Sequence, residues 1–378
     1  MEKVIRSLFA PFLTLIFLIA GSGLFNTFVS IRLELEGVST QMIGLVVSSL
    51  YVGILFGSLK ADQLIAALGH RWALIAVALI SAAAVLVQSF WINPWFWCAL
   101  RLICGACLAG VFVAIESWVL IASPPQLRGA TLSLYLGVLY GALSLGQLLI
   151  DLAPPLSLTP FWITAGLGCA ATLPLLLFPV SNPDTPPSSI RLSLPELYRL
   201  SPLGFLGGII SGMVLAAVYG LVPVYAREIG LSVPQIGSLM AVLIFGGLSL
   251  QWPMGRWADK GERKKVLNAS CFLTAAASLS IPWVHSDTTG LLFALAWLFG
   301  GFSFTIYPLS MAYTCEKLQE HQIVAATGGF VLSYGMGAIA GPLLAPLMMQ
   351  WLGAPGLFYF LALITAALGI LGRSKQMQ

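Results

Sequence analysis

The chain is a succession of long apolar runs separated by short segments rich in turn residues and charge. Each run is close to the roughly 20 residues that an α-helix needs to cross the hydrocarbon core of a bilayer. Set against that punctuation, the runs predict helices near 8–33, 40–67, 72–92, 95–122, 129–151 and 158–180, and again near 202–228, 235–258, 265–285, 288–314, 322–350 and 355–372. Hydrophobic residues make up 58% of the chain and charged residues 8%, well beyond the apolar share of about half that is usual for a soluble domain. The fold class expected is therefore all-α integral membrane, with twelve transmembrane helices. The first run is too long for the apolar region of a signal peptide, so it is expected to be retained as the first helix.

Between the two sets of six lies Ser181–Ser189, the only Pro/Ser-rich polar stretch of any length. It marks a linker, with a six-helix bundle over 1–180, a cytoplasmic linker over 181–200 and a second bundle over 201–378. The densest charge cluster, Gly255 to Lys265, reads as a short basic loop between the eighth and ninth helices. Excess Lys and Arg mark the cytoplasmic side. Counting spans outward from it puts both termini and the linker in the cytoplasm, with 15 of the 18 cations at inner helix ends. Only Arg32 and Arg227 fall outside, and Arg101 lies within a span. The net charge of +4 then orients helices and gives no reason to expect nucleic-acid binding.

The halves are related. A shift of 193 residues superposes Gly37 on Gly230, Ser39 on Ser232, Ile43-Gly44 on Ile236-Gly237, Leu50 on Leu243 and Gly53 on Gly246. A shift of 195 brings Gly105 onto Gly300 and Gly146 onto Gly341. One register held over consecutive helices and their turn is an internal repeat. Under it Asp259 corresponds to Ala66, and Arg263-Lys264 to His70-Arg71, so the first-half segment Gly69-His70-Arg71 keeps a cation but lacks the acid.

Gly255-x-x-x-Asp259-Lys260 followed by Arg263-Lys264 resembles the loop between the second and third helices of each half of major facilitator superfamily transporters. Arg101-x-x-x-Gly105 in the fourth helix is similar to the Arg-x-x-x-Gly motif of that family. Gly137-x-x-x-Gly141 with Gly146-Gln147, and Gly337-x-x-x-Gly341-Pro342, resemble its Gly-rich motif, which lets helix backbones of the two halves approach. Tyr219–Tyr225, Gln251–Arg256 with Ala258-Asp259-Lys260, and Cys315-Glu316-Lys317 look like the YcaD-like branch. The resemblance covers essentially the whole chain. It implies two pseudo-twofold-related six-helix bundles, secondary transport by alternating access, a central cavity lined by helices 1, 4, 7 and 10, and a place in the bacterial inner membrane, multi-pass and monomeric.

Polar residues at mid-depth in those four helices are the first candidates for a substrate or proton pathway, because intramembrane ionisable groups are expensive and face protein or water. These are Asn26, Arg101, Glu116, Tyr219 and Tyr307. Two readings fit Glu116: a carboxylate that titrates or binds a cation, or a structural acid paired with a cation such as Arg128 or with a helix terminus. Arg101 reads as structural or coupling-related more than as a direct ligand, since the family motif places Arg there whatever the substrate. Asn26 has a claim to the cavity or to a helix-packing hydrogen bond; Tyr219 and Tyr307 read equally as packing aromatics. Gly255, Arg256, Asp259, Lys260 and Arg263 are the inner-gate candidates. Glu316 reads as a solvated cap, and His285 and His321 as wet groups at span ends. Trp91, Trp95, Trp283 and Trp351 read as an aromatic belt. Cys104 and Cys107 lack a second pair or a nearby His, so no metal or cofactor is expected.

The function expected is a proton-coupled transporter of a small organic molecule, with efflux favoured because the cavity helices carry few charges. A facilitator without proton coupling is the alternative within the class, and a non-transporting membrane sensor the alternative outside it. No Gly-x-x-x-x-Gly-Lys-Ser/Thr phosphate loop suggests ATP as the driving force.

Overall fold

The computed structural model describes residues 2–124, 127–152, 154–178, 194–284, 289–316 and 320–374. Residues 181–193 of the expected linker, His285, Lys317 and Lys375 lie outside these, as do the side chains of Lys3, Arg6 and His321. The described residues form helices long and apolar enough to span a bilayer: α1 (Ser7–Leu35), α2 and α3 (40–68 and 70–88), α4 (Pro94–Ala122), α5 (Ala130–Leu152) and α6 (Thr159–Leu177). The second set is α7 (Pro202–Glu228), α8 (Val233–Lys260), α9 (Arg263–Trp283), α10 (Thr289–Cys315), α11 (Thr327–Leu352) and α12 (Gly356–Arg373). Helices suit these runs because a spanning segment must satisfy its backbone hydrogen bonds internally.

A single residue separates α2 from α3. Gly69 has φ 75° and ψ 161°, a left-handed backbone that only glycine adopts without strain. α10 is bent in mid-span, where Pro308 can offer no N–H to the turn before it, and its two pieces end at Ser303 and restart at Ile306.

Contacts divide the chain into two compact units, Met1–Val38 with Ser49–Ser188, and Ser39–Ser48 with Ser189–Gln378. Within the first, α1 packs on α4, α5 and α6; within the second, α7 pairs with α11, α8 with α10 and α9 with α12. The repeat read from the sequence reappears as matched contacts inside each unit. A Cβ at Gly105 would overlap the carbonyl oxygen of Leu50, and one at Gly300 that of Leu243. Likewise Gly53 lies against the Leu102 carbonyl and Gly246 against that of Trp297. The first turns match too: Val38 N–H bonds Leu33 O at 3.0 Å and Leu231 N–H bonds Ala226 O at 3.0 Å, each closed by a positive-φ glycine, Gly37 and Gly230.

Three expectations change. The basic segment at 255–265 is not a loop: α8 runs to Lys260 and α9 starts at Arg263, leaving only Gly261 and Glu262 between them. Helix persists because Met254 and Ala258 are buried while Arg256, Trp257, Asp259 and Lys260 point outward. The segment taken as linker ends in a short helix, Leu194–Leu200, anchored by the fully buried Leu197. The motif glycines also serve contacts within a unit. Gly146 lies on Ala20, Gly337 on Ile209 and Gly341 on Met213, whereas a Cβ at Gly137 or Gly141 would meet nothing.

Candidate functional site

α4 begins at Pro94 with Asn93 as its cap, the Asn93 side chain accepting from Phe96 N–H at 3.1 Å. Two turns in, the helix carries Arg101, whose side chain is turned inside the first unit and is 3% exposed. Arg101 Nη2 donates to Oδ1 of Asn26 on α1. The Asn26 amide is steadied from below, its Nδ2 donating to Ser22 Oγ at 3.5 Å. The guanidinium carbon lies 5.7 Å from the centre of the Phe25 ring, and Tyr51 and Cys104 lie within electrostatic reach.

No carboxylate pairs with Arg101 among the described residues, and its Nε has no partner. A buried cation left without a counter-charge is strongly unfavourable; here an amide oxygen and the negative face of a ring offset it in part. Beside it is a cavity of about 50 Å³, lined among others by Ser22, Phe25, Ser81, Arg101, Cys104 and Thr164.

Glu116 lies on the same helix, about 22 Å further along and about 60° round. Its side chain is exposed and forms no ion pair or hydrogen bond among the described residues, Arg128 included. Tyr135, buried on α5, lies within electrostatic reach of Glu116. One residue on, Ser117 Oγ is 3.0 Å from His70 Nε2. His70 is fully buried, edge-on to Trp118 at 5.6 Å. Its place beside Arg71 at the end of an apolar run suggests a wet group at a corner; the residue is instead buried just after the Gly69 break.

The other two pathway candidates lie in the second unit. Tyr219 is edge-on to Phe304 of α10 at 6.0 Å. Tyr307 meets Phe330 at 5.4 Å and Tyr334 at 5.3 Å, both on α11. The structure thus joins Asn26 to Arg101, leaves Glu116 a separate group on the same helix, and places both tyrosines in aromatic packing.

At the α8–α9 corner, Arg263 is the hub. It reaches Glu316 at 3.2 Å and Asp259 at 3.7 Å, and donates to Ala312 O at 3.2 Å. Glu316, read as a cap, is also the nearer acid. Arg256 stacks over Trp252 at 4.8 Å, Lys260 is exposed, and Lys265 pairs with Glu262 at 2.9 Å. Gly255, Asp259, Arg263, Thr305 and Pro308 line a groove of about 240 Å³.

Among the described residues, twelve apolar helices in two sequence-related sets, with ionisable groups carried inside them, define a polytopic helical membrane protein. Residues 204–374 match the Major Facilitator Superfamily profile and residues 17–187 that of the Sugar (and other) transporter family. The MFS-type transporter YcaD of Escherichia fergusonii is 34% identical over 93% of this chain and 91% of its own length. That of Escherichia coli O6:K15:H31 is 35% identical over the same shares. The chain belongs to the major facilitator superfamily, in the branch of the YcaD transporters. Its fold matches a mutant form of the nucleoside transporter NupG, with a TM-score of 0.80 at 14% identity over 97% of this chain and 98% of that one. It also matches a D-xylose-proton symporter, with a TM-score of 0.74 at 16% identity over 97% and 95%. The chain is a transporter and not an enzyme.

Proposed function

We propose that this chain is a proton-coupled secondary transporter that moves a small organic molecule out across the bacterial inner membrane by alternating access. In this reading both termini are cytoplasmic and a single chain is the working unit. The observation that carries it is Glu116: a carboxylate within a span, six residues or about 9 Å from the end of α4, exposed, with no counter-ion among the described residues. An intramembrane acid not held by a cation is free to exchange a proton with water that reaches it. Arg101 and Asn26 tie α4 to α1, and Arg101 biases the electrostatics of the loaded state. The D-xylose-proton symporter of the same fold supports the reading, as a case in which this scaffold accommodates proton coupling. Efflux is supported by the apolar character of α1, α4, α7 and α10, which suits lipophilic or weakly polar solutes.

The test uses purified protein in liposomes loaded with a pH-reporting dye and challenged with a panel of lipophilic and weakly polar organic solutes. Solute-dependent proton movement in the direction of exchange is expected for at least one class. Solute flux with no proton movement would make the protein a facilitator, and absence of any flux would favour a sensor.

A further inference from the structure

One face of α8 is left open by the packing that holds the helix. Leu243 and Gly246 lie against Gly300 and Trp297 of α10, and Met254 and Ala258 continue that buried face. On the outside, Phe245, Trp252, Arg256 and Lys260 follow one another at spacings of seven, four and four residues, which keeps them within about 80° of each other round the helix. Phe245 is 54% exposed and Trp252 68% exposed; Arg256 and Lys260 are exposed as well.

The stripe is graded along its length in step with a bilayer. α8 has 28 residues, about 42 Å of helix, which matches the 40–45 Å of a bilayer with its headgroup layers. Phe245 therefore lies near the midplane. Arg256 stands about 16 Å further along, at the edge of a hydrocarbon core about 30 Å thick, and Lys260 about 6 Å beyond it, within the headgroup layer. Aromatic rings thus cover the depth of one leaflet's acyl chains, and the two cations cover its polar rim.

The protein does not neutralise those cations. Asp259 is turned to Arg263 at 3.7 Å and Glu262 to Lys265 at 2.9 Å, so Arg256 and Lys260 meet no acid among the described residues. Arg256 is instead held over the Trp252 ring, 4.8 Å from its centre. That stacking fixes the guanidinium plane and leaves its N–H fork for a planar, two-pronged hold on a phosphate.

We propose that this stripe binds one anionic phospholipid, with acyl chains along Phe245 and Trp252 and the phosphate held between Arg256 and Lys260. Anionic headgroups are drawn to cations at the membrane surface, whereas a zwitterionic headgroup brings a cation of its own that this pair repels. A free phosphate has nothing to set against the aromatic part. The proposal stands apart from the transport reading, because the site faces lipid and its readout is occupancy without flux.

Native mass spectrometry of the purified full chain, titrated in detergent with dioleoylphosphatidylglycerol or dioleoylphosphatidylcholine, tests it. One phosphatidylglycerol per chain should be retained, with an apparent Kd at least fivefold below that for phosphatidylcholine. Arg256→Gln and Lys260→Gln should each weaken phosphatidylglycerol at least threefold and leave phosphatidylcholine unchanged. Lys264→Gln removes a half-buried cation outside the stripe and should alter neither lipid. Should one stripe variant fail to fold, the other decides. Equal affinity for the two lipids, or a loss in Lys264→Gln as large as that in Arg256→Gln, would overturn the site. A dimer that replaces the lipid adduct and disappears in Arg256→Gln would also overturn it, by assigning the face to a second copy of the chain.

Discussion

Gly146 lies directly against the carbonyl oxygen of Ala20, so that α5 meets the backbone of α1 with no side chain between them. Its counterpart in the repeat, Gly341, lies in the same way against Met213, the residue equivalent to Ala20. Small residues at such crossings let helices gain packing in lipid, where no hydrophobic effect drives them together.

Gly146→Ala and Gly341→Ala should therefore each destabilise the protein by about 1–3 kcal/mol, the usual range for overpacking, because the obstacle is backbone and cannot rotate away. Gly137→Ala and Gly141→Ala meet open space and should be neutral or stabilising by up to about 1 kcal/mol, since alanine is the better helix former. Thermal unfolding of the four variants in one detergent checks the contrast. Equal losses at all four positions would show that the crossings are not what the glycines serve.

The spans were legible because hydropathy and turn residues agree almost everywhere along the chain. They disagree at two places. Apolar residues continue through Phe90 and Trp91, yet the helix ends at Gln88. There the backbone turns toward the Asn93-Pro94 start of α4, and both aromatics are exposed. At 256–260 the reverse holds: charge suggested a loop, but a helix with only one face buried tolerates charge on the others. Asn26 and Arg101 were each marked by being polar within a span. Their hydrogen bond joins residues 75 positions apart and leaves no local signal. His70, Tyr51 and Tyr135 were missed for the same reason, because what distinguishes them is the neighbours that tertiary packing supplies.

The charge cluster at the α8–α9 corner should be weak in this state. Asp259 is 72% exposed and Glu316 45% exposed, and pairs this open contribute roughly 0–1 kcal/mol. A double-mutant cycle of Arg263 with Glu316 should give a coupling energy of about 0.5 kcal/mol, larger than that of Arg263 with Asp259, in keeping with 3.2 Å against 3.7 Å. Both couplings should fall as salt is raised. A larger coupling for Asp259 would mean that the pairing in the membrane differs from the one described.

Orientation can be checked at corners that the structure describes. In a variant lacking the six native cysteines, Lys264→Cys should react with a membrane-impermeant maleimide only from the cytoplasmic face. Ser232→Cys, at the cap of α8 and the far end of that span, should react only from the opposite face. The arrangement follows from the excess of cations at the α8–α9 end, and labelling of both positions from one side would invert or break it.

Glu116→Gln is the most demanding test of the coupling role. Glutamine keeps the shape of the protonated acid and cannot release a proton. Its immediate surroundings should tolerate the change, because the side chain is exposed and no ion pair among the described residues is lost. Arg101 cannot stand in for it: about 22 Å along the helix exceeds a screening length of about 8 Å wherever water enters. The variant should therefore exchange solute across liposome membranes at close to the normal rate while losing accumulation driven by a pH gradient. Tyr135→Phe, which keeps the ring beside Glu116 and removes the hydroxyl, should retain that accumulation. If Glu116→Gln still concentrates solute against its gradient, the carboxylate is structural and the coupling proton travels through another group.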